Sequence, residues 1–153
     1  MFNQSMKNFE EAAKQIQPCF NLQWRQADRV ITGLYNAHLS DLDLKITQFS
    51  VLRAVKLMRS CSQKQLEKVL LVDQATLTRS LQPLLRQDYI QRHASPEDGR
   101  IMLVSLTIAG KELYKKAEKR WLAAQTQVAD ILGEDSLEQL LEASQALIKL
   151  KTP

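Results

Sequence analysis

Five side chains between positions 75 and 86 have the donor, acceptor and methyl chemistry that reads the edge of a base pair. Ala75, Thr76, Arg79, Gln82 and Arg86 fall on one face of a helix-length segment whose other face carries Leu77, Leu81, Leu84 and Leu85, because residues three and four apart share a helix face. Arginine makes bidentate contacts to guanine and glutamine to adenine, and the methyl groups of alanine and threonine pack on the thymine methyl. Such a face suits the major groove of duplex DNA. The plainer reading is the solvated side of an ordinary amphipathic helix. Thr78, next to this face, and Ser62 and Gln63, at the start of the preceding helix, are grouped with it as candidate DNA contacts.

A second candidate is Arg100, at the end of the turn-forming cluster Ser95-Pro96-Glu97-Asp98-Gly99-Arg100. The cluster separates two strand-like runs, Tyr89 to Ala94 and Ile101 to Leu106, and so suits a hairpin tip. A basic residue there is placed to enter a narrow minor groove, where the negative potential is enhanced. Asp98 is expected to hold the Arg100 guanidinium by an ion pair. An ordinary surface salt bridge is the plainer account.

These residues need elements to position them. Ser62 and Gln65 have the spacing of a capping box that starts a short helix with Leu66, Val69 and Leu70 on its apolar face. Asp73 is expected to cap the next helix and to place a negative charge at its positive end. Helix, turn, longer helix, strand, loop, strand is the order of a helix-turn-helix followed by a β-hairpin wing.

In that order and spacing the chain resembles the multiple-antibiotic-resistance regulator (MarR) family of winged-helix transcription factors. The resemblance is carried by Asp98-Gly99-Arg100, by Leu106-Thr107 with Gly110 opening the next helix, by Asp73-Gln74-Ala75-Thr76-Leu77-Thr78-Arg79, and by Ile46-Thr47-Gln48-Phe49-Ser50-Val51-Leu52. It spans roughly residues 20 to 150 and implies a dimer held by terminal helices, with paired recognition helices and wings on a pseudo-palindromic site. Two positions depart from the family pattern. Asp88 stands where many relatives have a glycine, and Asp tolerates the left-handed conformation less readily than Gly. Pro83 lies inside the recognition helix, where it removes one hydrogen bond and is expected to bend or loosen the helix beyond Leu81.

The chain has 153 residues, 44% hydrophobic, with four glycines and four prolines, enough for one mainly helical domain with a sizeable core. No apolar run reaches membrane-spanning length, and MFNQSMKNFEEAAKQ lacks the apolar centre of a secretory signal, so a cytoplasmic location is expected. The formal charge of +4 favours a polyanionic partner. Between residues 62 and 106 six basic side chains face five acidic ones, a balance of only +1, so DNA binding is expected to need two copies.

Residues 1 to 17 are expected to form a partly ordered lead-in, with Pro18 in the first turn of a helix. Phe20, Trp24, Ala27, Ile31, Leu34 and His38 then step by four and three, with Val30 and Tyr35 beside the stripe. Ser40 to Asp43 breaks this pattern. Thr47 is the expected cap of a second helix through Met58, apolar at Phe49, Val51, Leu52, Ala54, Val55, Leu57 and Met58, with Arg53, Lys56 and Arg59 as a basic edge. After the wing, Thr107 is expected to cap a long helix carrying Ala117, Trp121, Ala124, Val128 and Ile131. Gly133 ends it, and Asp135 or Ser136 caps a last helix with Leu137, Leu140, Leu141, Leu147 and Ile148. The terminal stripes carry more apolar surface than the winged unit can cover, which favours pairing across a two-fold axis.

No catalytic constellation, metal-ligand spacing or glycine-rich phosphate loop is present. His38, His93, Cys19 and Cys61 are isolated from one another, so no metal and no cofactor are expected, and a thiol-dependent enzyme would rest on Cys19 without an adjacent base. The Cys19-Phe20 pair is similar to the peroxide-sensing cysteine of one MarR branch, without that branch's tyrosine spacing. It reads as a redox sensor or as a buried structural cysteine. The family also implies a crevice for small aromatic effectors, for which Trp24, Tyr35, His38 and Phe49 are the candidates; core packing is their plainer role.

The reading is thus mainly α with a small β wing, a winged helix-turn-helix flanked by N- and C-terminal dimerisation helices. It makes 1–153 a single domain, with 46–106 as the DNA-binding part and 18–40 and 107–150 as dimerisation helices. The expected function is a homodimeric, sequence-specific regulator of transcription on double-stranded DNA, a repressor released by a small ligand or by oxidation. The alternative is a winged-helix protein-interaction module that does not bind DNA.

Overall fold

The computed structural model describes residues 19–150. The expectations for residues 1–17 and for Pro18 lie outside them. In chain order the elements are α1 (Phe20–Leu39), a 3-10 turn (Ser40–Leu42), α2 (Ile46–Met58), β1 (Ser60–Ser62), α3 (Gln63–Leu70), α4 (Gln74–Arg86), β2 (Ile90–Ala94), β3 (Met102–Leu106), α5 (Ile108–Leu132) and α6 (Glu134–Ile148). The chain divides into two compact units between Gly33 and Leu34. In the first, Phe20, Leu22, Trp24 and Val30 are exposed.

The second unit contains the winged helix. Its core is built from Leu39, Leu44, the inner side of α2 at Phe49, Leu52 and Val55, then Leu66, Leu77, Leu81, Leu84, Ile90 and Val104, closed by Leu113, Tyr114 and Ala117 of α5. The helical period of these leucines is what lays α3 and α4 on α2.

Local chemistry sets the ends of the elements. The Ser62 hydroxyl accepts from the Gln65 N–H at 3.3 Å while Gln65 Oε1 accepts from the Ser62 N–H at 2.8 Å, the expected capping box. Asp73 Oδ1 accepts from the Thr76 N–H at 2.6 Å to start α4. At α2 the expected cap, Thr47, lies within the first turn. Gln48 Oε1 accepts from the Lys45 N–H at 2.7 Å, and Asn36 Oδ1 accepts from the Ile46 N–H at 2.8 Å, so α1 itself caps α2. Asp135 and Ser136 do not cap α6 either. That helix starts at Glu134 directly after Gly133, whose φ of 76° turns the chain, and Glu134 and Asp135 place two carboxylates at its positive end.

The sheet has three strands in the order β1-β3-β2, all antiparallel. β1, a third strand that the hairpin pattern does not announce, pairs Ser60, Cys61 and Ser62 with Ser105, Val104 and Leu103. The hairpin strands are each one residue shorter than expected. Tyr89 donates its N–H to the Leu84 carbonyl, and Ile101 donates to the Asp98 carbonyl within the turn.

Two apolar positions expected on the inner faces of α2 and α3 face solvent instead. Val69 is exposed because α3 buries Leu66 and half-buries Leu70, and Val69 sits about 60° from Leu66 on the other side. Leu57 is exposed because it follows Arg53 by one turn on the outer side of α2. Helix α4 runs through Pro83 to Arg86. Pro83 offers no N–H to the Arg79 carbonyl, yet its own carbonyl accepts from Gln87 at 3.1 Å.

Asp88 has φ 56°, the left-handed region, between α4 and the wing. Asp88→Gly should therefore raise stability by up to about 1 kcal/mol and Asp88→Val should lower it by more than that, read as shifts in the denaturation midpoint. Equal midpoints for the two variants would contradict this reading of the turn.

Candidate nucleic-acid interface

The wing is anchored at its base by the Leu106-Thr107 and Gly110 motif. Thr107 donates its N–H to the Tyr89 carbonyl at 3.1 Å and its hydroxyl to the Asp88 carbonyl at 2.6 Å. The same hydroxyl oxygen accepts from the Gly110 N–H at 2.9 Å, capping α5. One threonine thus joins the end of the recognition segment, the wing and the first turn of α5. A β-carbon on Gly110 would lie 1.8 Å from the Tyr89 oxygen, so only glycine permits this approach.

At the tip, Arg100 is gripped at both ends of one carboxylate. Its Nε donates to Asp98 Oδ1 and its Nη2 to Asp98 Oδ2, each at 3.0 Å, while its backbone N–H also reaches Oδ1 at 3.0 Å. The Ser95 hydroxyl accepts from the N–H groups of Glu97 and Asp98, and the Ser95 N–H reaches the Ile101 carbonyl at 2.8 Å, which closes the turn beneath. The Arg100 side chain remains 91% exposed. Its guanidinium is oriented yet open to a ligand, a geometry that lowers the ordering cost of binding.

The outward face of α4 is exposed at Ala75, Arg79, Gln82 and Arg86, with Thr76 and Thr78 half-buried. Arg79 Nη2 donates to Thr76 Oγ1 at 3.1 Å, which lays the guanidinium along the N-terminal part of the helix. Ser62 and Gln63 sit at the first turn of α3, both half-buried, where the helix dipole favours negative charge.

Three carboxylates lie below their usual range. The Arg100 side chain lowers Asp98, the Thr76 N–H lowers Asp73, and the Arg120 side chain lowers Asp41, which pairs with it at 2.6 Å. A carboxylate lowered by folding stabilises the fold above its unfolded pKa, near 4, and loses that contribution as pH falls through the folded value. The thermal midpoint should therefore hold steady down to about pH 5 and fall below about pH 4, and the fall should be smaller in Asp98→Asn. A midpoint that rises on acidification would contradict these pairings.

The remaining candidates are placed as follows. Trp24 is exposed on α1, in the first unit. Tyr35 is buried and donates its hydroxyl to Gln125 Oε1, and His38 Nε2 lies 2.7 Å from Gln127 Oε1. Phe49 is 1% exposed, stacked on Tyr114 with centroids 5.7 Å apart and tilted against Trp121 at 5.9 Å. Cys19 is exposed rather than buried; Cys61 is the buried thiol, and burial pushes its pKa up.

Sequence reasoning missed the role of Arg53, whose guanidinium carbon lies 4.7 Å from the Trp121 ring centroid. It is a cation–π partner of the core rather than part of a free basic edge. Nothing in its local spacing announces a partner on α5. Burial and the Glu118 carboxylate, which accepts from the Tyr114 hydroxyl at 2.6 Å, push Tyr114 up to about 12. Among the described residues no three His, Cys, Asp or Glu side chains converge on a metal position, and no helix is long and apolar enough to cross a membrane.

Residues 42–101 match the sequence model of the MarR family. The multiple antibiotic resistance protein MarR of Salmonella typhimurium is 39% identical over 87 residues, 57% of this chain and 60% of that protein. The Escherichia coli K12 protein of the same name is 35% identical over 86 residues, 56% and 60% of the two chains. The chain thus spans 60% of the length of these curated relatives. Among solved structures, a cysteine-to-serine mutant of E. coli MarR complexed with operator DNA superposes with a TM-score of 0.76 at 26% identity, over 83% of this chain and 91% of that one. A probable transcriptional regulator from Pseudomonas aeruginosa gives 0.78 at 27% identity, over 89% and 98%.

Proposed function

We propose, on the premise that the chain belongs to the MarR family, that it is a homodimeric regulator of transcription that reads a pseudo-palindromic site in double-stranded DNA. The observation that carries this reading is Arg100, clasped by both oxygens of Asp98 and still 91% exposed. Residues 46–106 form the reading part. Ala75, Thr76, Thr78, Arg79, Gln82 and Arg86 address the major groove, Arg100 the adjacent minor groove, and Ser62 and Gln63 the phosphates. The solved E. coli relative in complex with operator DNA supports that use of the fold.

The helices of 18–40 and 107–150 serve a second copy of the chain. Leu122 and Ile131 on α5 and Leu141, Leu147 and Ile148 on α6 stand exposed, an apolar load that symmetric pairing buries. The dimer acts as a cytoplasmic repressor by occupying its site. A small aromatic effector near Tyr35 and His38, rather than at the core residue Phe49, or oxidation of the exposed Cys19, releases it.

Salt dependence of binding tests the reading. Fluorescence anisotropy with a duplex selected from random fragments should show log Kd rising linearly with log salt concentration, losing about a thousandfold or more between 50 and 200 mM if six or more phosphates are neutralised. Salt-independent binding, or no duplex enriched by selection, would show that this chain's winged helix serves another partner.

A further inference from the structure

A hollow of about 420 Å³ lies behind the wing, where the end of α2, the base of the hairpin and the first turn of α5 meet. Three cations from these separate parts of the chain line it: Lys56 of α2, Arg59 of the connection to β1, and Lys111 of α5. No carboxylate lines it. Among the described residues none of the three has a carboxylate within salt-bridge distance. Asp88 and Glu112 line an adjoining hollow that shares Lys111 and Gln91. Like charges gathered in one concavity repel, and that cost is removed only by an anion or by distance through water.

The rest of the wall suits a ligand. Gln91 and Ser105 face each other across β2 and β3 and are bonded side chain to side chain at 3.3 Å, placing an amide and a hydroxyl beside the cations. The floor is Val55 and Leu106, both buried. Arg59 has φ 63° and ψ −46°, a strained backbone for any residue but glycine, and such strain concentrates at sites where a side chain is needed.

We infer that this hollow is a binding site for a small polyanion, of the phosphate or polycarboxylate class. The occupant is a small molecule rather than the DNA backbone for two reasons. No residue of α3 or α4 lines the hollow. The Gln91–Ser105 pair also lies three residue pairs from the Ala94–Met102 end of the hairpin, about 10 Å along the strands, and away from Arg100. Because the hollow joins the wing base to α5, an occupant would tie together the two parts that Thr107 already links. The inference does not depend on the regulatory reading.

The test is calorimetric titration of the full chain with pyrophosphate and, separately, with citrate, at constant ionic strength near 0.15 M, alongside Arg59→Gly/Lys111→Gln and the control Lys68→Gln. Saturable binding of either probe to the native chain is expected, weakened at least tenfold in the double variant and unchanged in the control. The probe that binds more tightly assigns the class. Arg59→Gly relieves the backbone, so the double variant should keep its thermal midpoint; if it does not, Lys111→Gln alone must show the loss. Equal affinity in native and variant chains, or heats reproduced by sodium chloride, overturns the site. So does a variant that binds DNA more weakly while its anion binding is unchanged, which would assign these cations to the duplex.

Discussion

Gly110→Ala is expected to cost about 3 kcal/mol, the largest single-residue stability effect argued from this fold. A β-carbon there would meet the Tyr89 oxygen at 1.8 Å and its carbonyl carbon at 2.8 Å, and both are backbone atoms that cannot rotate away. Relief requires α5 to lift from the wing base, which stretches the Thr107 bonds to Asp88 and Tyr89. For a chain of this length the loss corresponds to a fall of roughly 10 °C in the thermal midpoint. DNA affinity should fall with it, since the displaced segment carries the wing. An alanine variant that melts within a degree or two of the native chain would contradict the placement of α5.

Arg79→Ala and Arg100→Ala should separate two kinds of recognition. If Arg79 reads guanine as proposed, its loss should cost about 1–3 kcal/mol at the matched base while leaving other sequences nearly untouched. Losing Arg100 should weaken every duplex alike and reduce the salt slope by about one per subunit, because a minor-groove guanidinium senses charge and groove width. Asp98→Asn should fall between native and Arg100→Ala: the cation remains but loses the ion pair and one of its two side-chain anchoring bonds, since the amide oxygen can still accept the other. Competition binding against matched and scrambled duplexes distinguishes the cases, and identical profiles for the two arginine variants would contradict the assignment of grooves.

What the sequence made legible was local. Ser62, Asp73 and Thr107 cap the helices they precede, and Leu77, Leu81 and Leu84 turn inward, because capping and helical period act within a few residues. Asp98 and Arg100 are two positions apart, so their bond was also within reach. The rest depended on partners far along the chain. β1 is only Ser-Cys-Ser, with no alternation to mark it, and its pairing partner lies beyond the wing tip. Thr47 has the chemistry of a cap, but the helix already begins at Ile46, whose N–H is taken by Asn36 of the previous helix, a partner far along the chain. Lys56, Arg59 and Lys111 share a hollow only once the sheet brings α2 and α5 together.

Methylation interference on the selected duplex tests the central claim most directly, since it reports each groove separately. The account predicts interference from guanine N7 in the major groove at the middle of each half-site, flanked by interference from adenine N3 in the minor groove, in two symmetric copies. Arg100→Ala should erase only the flanking signal. Interference confined to one groove, or a single unsymmetric footprint, would contradict it.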